Sequence, residues 1–499
     1  MMIDDLIPPT APIFAPISRR TMQVILRFAT VFREQGHELY LVGGPVRDLL
    51  LERAEANDFD FATDALPAVT QELGREAGAT SIFTIGERFG TIGFAFPEDA
   101  ETGEAGFVFE ITTYRSEEYP DETRKPVVQH DVTLIDDLSR RDFTINAIAA
   151  DPVSGDLIDP FYGQADLAMG VIRAVGDPDE RFNEDPLRLL RAARFVAQLG
   201  FRVEHETQAA MARQAESLNR ISVERVYLEL TKLLCGDFAG AGLDVLLDTG
   251  LLTVAMPELQ PLERDALIVD RRGRAREKDL WTHTKLVIEQ APARPVVRWA
   301  ALLHDAAKPL TRSIDAAGEV HFFGHEREGA ILSARLLKRL KADKATQQSV
   351  FHIVDDHLRP AMYSPDWTDS AVRRLMLDAG DDLDDLLDLV AADVTSAREQ
   401  KQRAAAERIE RLRARIDRLN AEHALEQFQS PLDGTALMAM FSRPPGRWIA
   451  EIKEHLRELV IDGELAPGDT ERAAEIAREL VGDGAGNRPQ ATGSGETNG

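Results

Sequence analysis

Residues 41–50 read LVGGPVRDLL, and residues 58–63 read DFDFAT. The run ELYLV at 38–42 predicts a buried strand, Gly43-Gly44 a tight turn, and Pro45 the first turn of a helix, where proline is best tolerated. Backbone N–H groups at such a helix start can bind a phosphate. The two segments therefore predict a strand, a phosphate-binding turn and a helix, followed by a second strand.

The second strand carries two acidic side chains on one face. Asp58 and Asp60 are two residues apart, and alternate residues of a strand project to the same side. Glu110 lies between apolar neighbours in a third predicted strand, FVFEITTYR. Two like charges about 4 Å apart repel by roughly 4 kcal/mol at an effective dielectric near 20, so such a cluster stays ionised around cations. The three carboxylates predict a site for two Mg²⁺ ions and metal-dependent nucleotidyl transfer.

An exposed Asp-x-Asp turn is the alternative for this motif, because the pattern is common on its own. The upstream Gly-Gly turn and the pair Arg47-Asp48 favour the metal site.

Length and composition predict a multidomain protein, since 499 residues, 44% of them hydrophobic, supply several cores. Cys235 is the only cysteine, so no intramolecular disulfide can form and a reducing compartment is expected. No apolar run is long enough to span a bilayer, and the N-terminus lacks a basic-then-apolar signal. We therefore expect a cytoplasmic protein with no membrane partner.

The formal net charge of -27 is unusual for a protein that binds nucleic acid, because phosphates attract Lys and Arg. The charge is unevenly distributed. Residues 378–393 and the last forty or so residues are acidic, whereas 271–278 and 408–418 are locally basic. Each basic run can contact RNA or form a salt-bridged surface, and the sequence leaves both interpretations open.

The hydrophobic pattern divides the chain into a mixed α/β part and a long helical part. Helical and strand patterns alternate at first, and helical periodicity then continues to about residue 463, apart from strands in DLIDPF and VIRAV. The predicted segments are a leader (1–21), a small mixed-sheet head (22–150), linker strands with a helical neck (151–255), a helical body (256–400), a helical tail (401–463) and a disordered terminus (464–499).

An apolar seam follows one charged helix in the C-terminal part. Ile409, Leu412, Ile416 and Leu419 recur at spacings of three and four. The seam covers fewer than three heptads, which favours packing within the helical body over a short coiled coil.

Four further segments complete a family pattern: TTYRSEEYPD, DLSRRDFTINAIA, RFNEDPLRLLRAARF and RISVERVYLEL, in that order. With them, the chain from about residue 41 to 463 resembles the bacterial CCA-adding tRNA nucleotidyltransferases, which share a fold with bacterial poly(A) polymerases in the polymerase beta superfamily. The resemblance implies an α/β nucleotidyltransferase head followed by an elongated all-α neck, body and tail. It further implies that CTP and ATP are used to add CCA to tRNA 3′ ends, that two Mg²⁺ ions assist, and that the tail binds tRNA.

The resemblance also implies roles for individual residues. The three carboxylates would be the catalytic metal ligands. The residues that border the nucleotide would be Gly43, Gly44, Arg47, Asp48, Arg141, Asp142, Asn146, Asp185, Arg188, Arg191 and Arg194. The alternative for Arg141 and Asp142 is a buried ion pair with each other, and for Arg191 and Arg194 it is salt bridging on a helix surface.

The segment EDPLR at 184–188 predicts how a protein chooses C and A without a nucleic-acid template. Asp185 and Arg188 are three residues apart on a predicted helix and are therefore neighbours. A carboxylate accepts from an exocyclic amino group, and a guanidinium donates to the ring nitrogen or carbonyl beside it. U and G present a carbonyl and a ring N–H instead, which would cost about 1 to 3 kcal/mol per unpaired group.

A second set of candidate metal ligands lies in the predicted helical body. It comprises His283, His304, Asp305, His325, His357 and Asp393. The set resembles an HD domain. Imidazoles and carboxylates suit Mn, Fe, Ni or Mg, and metal-bound water can hydrolyse a phosphoester. HDAAK at 304–308 departs from the usual HD-small-Gly-Lys pattern, and many family members keep this fold as an RNA-binding scaffold, so an additional divalent metal is expected while hydrolysis stays open.

Three other functions remain open beside CCA addition. Poly(A) polymerases carry a basic stretch after Gly-Arg-Arg-Phe and a basic C-terminus, whereas this chain has GERFG at 86–90 and an acidic terminus. Enzymes that add only CC or only A share all the motifs above. An HD-type phosphohydrolase whose head merely binds nucleotide is the alternative from a different class. The oligomeric state is not predicted.

Overall fold

The computed structural model describes residues 12–53, 58–85, 90–99, 103–114, 116–118, 127–129, 132–264, 268–269, 275–276, 280–394, 399–422 and 429–484. A mixed-sheet head is followed by a helical body, which confirms the predicted fold class. Most of the predicted leader, most of the basic run at 271–278, and most of GERFG lie outside the described residues.

The head is built on a seven-stranded mixed sheet in the order β3-β4-β5-β2-β1-β8-β9. The strands in the N-terminal part are β1 (Tyr40–Val42), β2 (Asp58–Thr63), β3 (Ser81–Ile85), β4 (Thr91–Phe96), β5 (Phe107–Thr113), β6 (Ser116–Glu118), β7 (Val127–Gln129), β8 (Ala149–Ala150) and β9 (Leu157–Ile158). The helices of this part are α1 (Arg19–Glu34), α2 (Gly44–Leu50), α3 (Pro67–Glu76) and α4 (Leu134–Ser139). Strands β6 and β7 form a separate antiparallel pair.

Strand β2 separates an apolar face from an acidic face. Phe59 and Phe61 are fully buried, whereas Asp58 and Asp60, which alternate with them along the strand, are exposed. The Phe59 and Phe61 rings pack edge-on against Phe109 of β5, at centroid distances of 5.8 and 5.1 Å. Because side chains alternate along a strand, burying the aromatic face turns both carboxylates to the opposite side of the sheet.

The rest of the described chain is mainly helical. Its helices are α5 (Gly163–Met169), α6 (Pro178–Glu184), α7 (Leu187–Leu199), α8 (His205–Gln214), α9 (Val223–Leu234), α10 (Ala239–Asp248), α11 (Leu251–Ala255), α12 (Gln260–Arg264), α13 (Leu280–Gln290), α14 (Pro295–Leu303), α15 (Lys308–Thr311), α16 (His325–Arg339), α17 (Lys344–Asp356), α18 (Leu358–Ala361), α19 (Asp369–Ala379), α20 (Leu383–Ala392), α21 (Glu399–Glu422), α22 (Gly434–Phe441), α23 (Arg447–Asp462) and α24 (Thr470–Gly484). Two-residue strands form three further pairs, β10 (Val171–Ile172) with β11 (Arg202–Val203), β12 (Ile268–Val269) with β13 (Ala275–Arg276), and β14 (Ser313–Ile314) with β15 (Val320–His321).

The apolar seam of α21 packs within the helical body, as predicted. Ile409, Leu412, Ile416 and Leu419 are all buried in the same core cluster as α19 and α20. The structure thus favours packing inside the body over the coiled-coil alternative.

The prediction of a disordered terminus from residue 464 is wrong for its first part. Residues Thr470–Gly484 form α24, and its Ala473 and Ala477 are fully buried in a core shared with Leu456 and Val460 of α23. The prediction fails there because the apolar residues of α24 recur at helical spacing and pack on a neighbouring helix. Residues 485–499 lie outside the described part.

None of the helices in the described residues combines the length and the apolar character that crossing a bilayer requires.

Candidate functional site

The turn between β1 and α2 is built on Gly43. Its φ of 76° lies in the left-handed region, and a Cβ atom there would come within 2.8 Å of the Arg141 Nη1 atom. The backbone conformation therefore favours glycine at this position, and a larger residue would also displace the tip of the Arg141 side chain. Pro45 follows in the first turn of α2, as predicted.

The pairing of two strands brings the head acids together. Strands β2 and β5 run parallel, and their register places Asp60 directly opposite Glu110. Burial raises the pKa of Asp60, while the charge of Arg141 opposes this effect and that of Asp58 adds to it. Partial burial, Asp60 and Asp58 also raise the pKa of Glu110. The three carboxylates therefore share a negative field that a divalent cation would relieve.

The ligand atoms of Asp58, Asp60 and Glu110 do not all lie within 4.8 Å of one another. In the described part of the chain, two groups of three ligands have donor atoms within 4.8 Å of one another, and neither contains a head carboxylate.

Arg47 connects α2 with the segment after α4. Its Nε and Nη2 atoms each donate to the Asp48 carboxylate at 2.9 Å, and its Nη1 donates to Asn146 Oδ1 at 2.8 Å. The guanidinium also lies over the Phe195 ring, 5.1 Å from its centroid. These contacts hold a positive charge beside the Gly43 turn.

Asp142 is the most buried acid of the site and pairs with Arg191. Its Oδ1 accepts from Asn146 Nδ2 at 3.0 Å, and its Oδ2 accepts from Arg191 Nε at 2.7 Å. Burial acts to raise the pKa of Asp142, but Arg191 and the Asn146 hydrogen bond outweigh it and lower the pKa to about 2. The alternative of an Arg141–Asp142 pair is wrong, since Arg141 Nη2 instead donates to Asp137 Oδ2 at 3.1 Å.

Asp185 and Arg188 both lie at the cleft, but the prediction that they share one helix is wrong. Helix α6 ends at Glu184 and α7 begins at Leu187, with Asp185 in an extended conformation between them. The residue before a proline is disfavoured in the helical region, and Pro186 therefore separates the two helices. Asp185 and Arg188 therefore lie at the bend between α6 and α7, and not on one face of a single helix.

Arg194 is not a surface residue. It is 8% exposed, and its Nε donates to Glu229 Oε2 at 2.6 Å. Its guanidinium stacks over the Phe195 ring at 4.2 Å. The predicted alternative of surface salt bridging is therefore wrong for Arg194, which forms a buried pair that joins α7 to α9.

Most of these side chains line one open cleft of about 510 Å³, but Asp48, Asp58 and Glu110 are not part of its described lining. Its described lining contains seven arginines and three aspartates, so the cleft is locally positive although the chain is acidic. The arginines are Arg47, Arg140, Arg141, Arg188, Arg191, Arg194 and Arg225. Sequence reasoning missed Arg140 and Arg225, although both stand within the quoted motifs DLSRRDF and RISVERV.

The six candidate ligands of the helical body also come together. His283 Nε2 lies 3.3 Å from His304 Nε2, 3.2 Å from Asp305 Oδ2 and 3.1 Å from Asp393 Oδ1. His283, His304 and Asp305 form one of the two groups whose ligand atoms lie within 4.8 Å of one another. All three are buried, which is unusual for so many polar atoms without a cation.

Asp305, His325 and His357 form the second group. The Nδ1 atoms of His325 and His357 each face a backbone carbonyl at 2.7 Å, so their Nε2 atoms are available as ligands. Asp305 Oδ1 and His325 Nε2 are buried without a hydrogen-bond partner within the described part of the chain. Because Asp305 belongs to both groups, its carboxylate would be a ligand of a cation held by either group.

Three parts of the chain match models of known protein families. Residues 39–173 match the poly(A) polymerase head domain, residues 200–262 a probable RNA- and SrmB-binding site of polymerase A, and residues 282–398 the HD domain. A CCA-adding enzyme from Geobacillus sp. (strain WCH70) is 32% identical over 449 residues, which cover 90% of this chain and 94% of that protein. Another, from Geobacillus kaustophilus (strain HTA426), is 37% identical over 292 residues, or 58% of this chain and 67% of that protein.

The fold is also similar to a solved structure. The crystal structure of the Bacillus stearothermophilus CCA-adding enzyme in complex with CTP has a TM-score of 0.67 at 26% identity, with 94% of this chain and 99% of that chain covered. The likeness therefore extends over the head and the helical body alike.

Proposed function

Because this chain belongs to the family of CCA-adding enzymes, we propose that it adds C, C and A to the 3′ ends of tRNA without a nucleic-acid template, and consumes CTP and ATP. Each step would be an in-line attack by the RNA 3′ hydroxyl on the α-phosphate, with pyrophosphate as the leaving group. The observation that carries the proposal is the register of β2 and β5, which sets Asp60 opposite Glu110 beside an arginine-lined cleft.

In this proposal the acids of the head hold divalent cations and the arginines hold the nucleotide. Asp58, Asp60 and Glu110 fit Mg²⁺ because they are neighbouring oxygen ligands, and burial together with the nearby carboxylates raises the pKa of Asp60 and of Glu110. Two Mg²⁺ ions bound there would activate the attacking hydroxyl and stabilise the leaving pyrophosphate. Gly43 and Gly44 lie at the start of α2, where backbone N–H groups would bind the triphosphate.

Base selection would depend on Asp185 and Arg188. The Asp185 carboxylate accepts the exocyclic amino group that C and A share, and the Arg188 guanidinium donates to the acceptor beside it. Arg47, Asp48, Arg141, Asp142, Asn146, Arg191 and Arg194 would border the nucleotide and its ribose or form the frame that supports it. The hydrogen bonds of Asp142, Arg191 and Arg194 support the role in the frame most directly for these three residues.

The decisive experiment supplies the pure protein with tRNA that lacks its terminal CCA and with each labelled nucleotide in turn. We expect two C residues and one A residue, and no addition by the Asp58→Ala or Asp60→Ala variant. Long A tails on arbitrary RNA would instead identify a poly(A) polymerase. Arrest after CC, or addition of A alone to tRNA ending in CC, would identify a partial enzyme.

A second candidate activity is metal-dependent phosphoester hydrolysis at the histidine cluster of the body. The two ligand groups that share Asp305 favour it, together with Asp305 Oδ1 and His325 Nε2, which lie 3.5 Å apart and are buried without a hydrogen-bond partner within the described residues. Metal analysis of the protein should find a divalent cation that is lost in His304→Ala and retained in Asp60→Ala. Hydrolysis of a phosphodiester by Asp60→Ala, absent in His304→Ala, would establish this activity as separate from transfer.

We also propose which part of the chain binds tRNA and where in the cell the protein acts. The helical tail at 401–463 would bind tRNA, and the scarcity of cysteine favours action in the cytoplasm. Crosslinking of tRNA to the protein, followed by mapping of the crosslinked residues, tests the role of the tail.

A further inference from the structure

Arg225 joins α9 to the side chain that would read the nucleobase. Its Nη2 donates to Asp185 Oδ2 at 3.2 Å, and both residues line the cleft. The other oxygen, Asp185 Oδ1, accepts the Leu187 N–H at 3.1 Å. Each oxygen of this carboxylate is thus bound by a different donor, and together the two donors fix its rotation.

Arg188 is held by a separate set of contacts. Its Nη1 donates to Glu184 Oε2 at 2.8 Å and to the Arg181 carbonyl at 3.1 Å, and its Nη2 donates to the Arg140 carbonyl at 2.7 Å. Arg225 contributes to none of these hydrogen bonds. The orientation of Asp185, which would accept from the base, therefore depends on Arg225. The orientation of Arg188, which would donate to the base, does not.

We propose that Arg225 is a positioning residue for nucleobase selection, which holds the Asp185 carboxylate where it accepts the exocyclic amino group of C or A. This inference rests on the proposed function, because it requires Asp185 to face the base. U and G would present a carbonyl oxygen to the same carboxylate. A fixed carboxylate repels that oxygen, whereas one that rotates freely turns away from it.

Loss of Arg225 should therefore relax the rejection of U and G more than it weakens the use of C and A. The Arg188 contacts would still orient part of the base, so CTP and ATP keep one of their two recognition elements. An unspecific structural defect would instead lower the use of all four nucleotides alike. The ratio of UTP use to CTP use therefore distinguishes a loss of base selection from a general structural defect.

The test measures incorporation of CTP and UTP into tRNA lacking CCA, together with equilibrium binding of all four nucleotides to the full-length protein. In Arg225→Ala we expect the UTP-to-CTP ratio of kcat/KM to rise about tenfold, the equivalent of one lost discriminating contact. Arg225→Lys should restore part of the discrimination, because it keeps one donor near Asp185. Equal ratios in Arg225→Ala and wild type would overturn the proposal.

Arg220 provides a matched control at the other end of the same motif. Its Nη2 donates to the Asn183 carbonyl at 3.1 Å, so it also ties the start of this motif to α6. It does not belong to the described lining of the cleft. Arg220→Ala should keep the wild-type ratio, and a change equal to that of Arg225→Ala would contradict a specific role for Arg225.

A double-mutant cycle with Asp185→Asn tests whether Arg225 acts through Asp185. If it does, Arg225→Ala should change the ratio no further once Asp185→Asn is present. Fully additive effects would overturn the proposal. Failure of the proposed function is recognised separately, in the wild type, by equal binding of all four nucleotides or by no addition of C and A. Failure of this inference is recognised by a wild type that discriminates and an Arg225→Ala variant that discriminates equally well.

Discussion

At the scale of single residues, Gly43 is a position in the cleft lining where an added methyl group would meet a cleft arginine. Gly43→Ala would place a Cβ atom 2.8 Å from Arg141 Nη1 and force an L side chain into a left-handed conformation. The strain should cost about 1 kcal/mol of unfolding free energy, and displacement of Arg141 should weaken CTP binding about tenfold. Calorimetric titration with CTP and thermal unfolding measure the two effects.

Gly36 separates the two effects of this substitution. Its φ of 80° is equally left-handed, but no heavy atom lies within 4 Å of its Cβ position. Gly36→Ala should therefore lose similar stability and keep the wild-type affinity for CTP. Equal weakening in both variants would mean that backbone strain, and not the contact with Arg141, governs the turn.

The Asp142–Arg191 pair predicts a pH dependence of stability. The pKa of Asp142 falls to about 2 in the folded protein, below the value of about 3.9 in an unfolded chain. The pair therefore stabilises the fold fully above about pH 4 and loses its effect as the pH falls towards 2, by on the order of 2 kcal/mol. Urea unfolding of wild type and Arg191→Met should show a difference that is large at pH 7 and shrinks below pH 4.

Arg33 serves as the control for that experiment. Its pair with Asp151 lies at the surface, where the Arg33 side chain is 60% exposed. Arg33→Met should change the unfolding free energy by less than about 1 kcal/mol at either pH. A pH-independent loss in Arg191→Met would show that lost packing dominates over the charge of Asp142.

At the scale of strands and helices, the sequence predicted which side of a strand faces the cleft but not which residues face each other across strands. Alternation within DFDFAT places Asp58 and Asp60 on one face, because Phe59 and Phe61 must be buried. The register that sets Asp60 opposite Glu110 depends on pairing between distant segments, which no local pattern encodes. The acids could thus be named before their mutual distances were known.

The same limit explains the errors in the helical part. The spacing of Asp185 and Arg188 predicts that they share one helix, but Pro186 separates α6 from α7. The hydrogen bond from Arg225 to Asp185 joins residues 40 positions apart, and nothing in either motif predicts it. Local periodicity finds elements, whereas tertiary contacts decide which ionisable groups pair.

The terminal helix α24 provides a prediction at the scale of one element. A chain that stops after residue 469 lacks Ala473 and Ala477, which cover Leu456 and Val460 of α23. Amide hydrogens of α23 should then exchange at least about tenfold faster, while those of β2 keep their protection. A chain that stops after residue 484 is the control and should exchange like the full chain. Unchanged protection of α23 in the shorter chain would mean that α24 contributes no packing energy.

At the scale of the whole molecule, an acidic protein presents a basic cleft to its proposed substrate. The net charge of -27 is distributed over 499 residues, whereas seven arginines and three aspartates line about 510 Å³ in the described part of the chain. At physiological ionic strength charges are screened beyond about 8 Å, so a polyphosphate within the cleft experiences the arginines more than the distant acids. Total charge is therefore a poor guide to what this cleft binds.

The arginines of the cleft predict the sign of the salt dependence of CTP binding. If the cleft arginines dominate, the dissociation constant for CTP should rise several-fold between about 50 and about 500 mM KCl, because the added ions screen the attraction. If the net charge dominated, added salt would screen a repulsion and CTP would bind more tightly. Cytidine, which lacks the triphosphate, is the control ligand, and its binding should hardly respond to salt. Calorimetric titration over this range decides between the two signs, and tighter CTP binding at high salt would contradict the role assigned to the arginine-lined cleft.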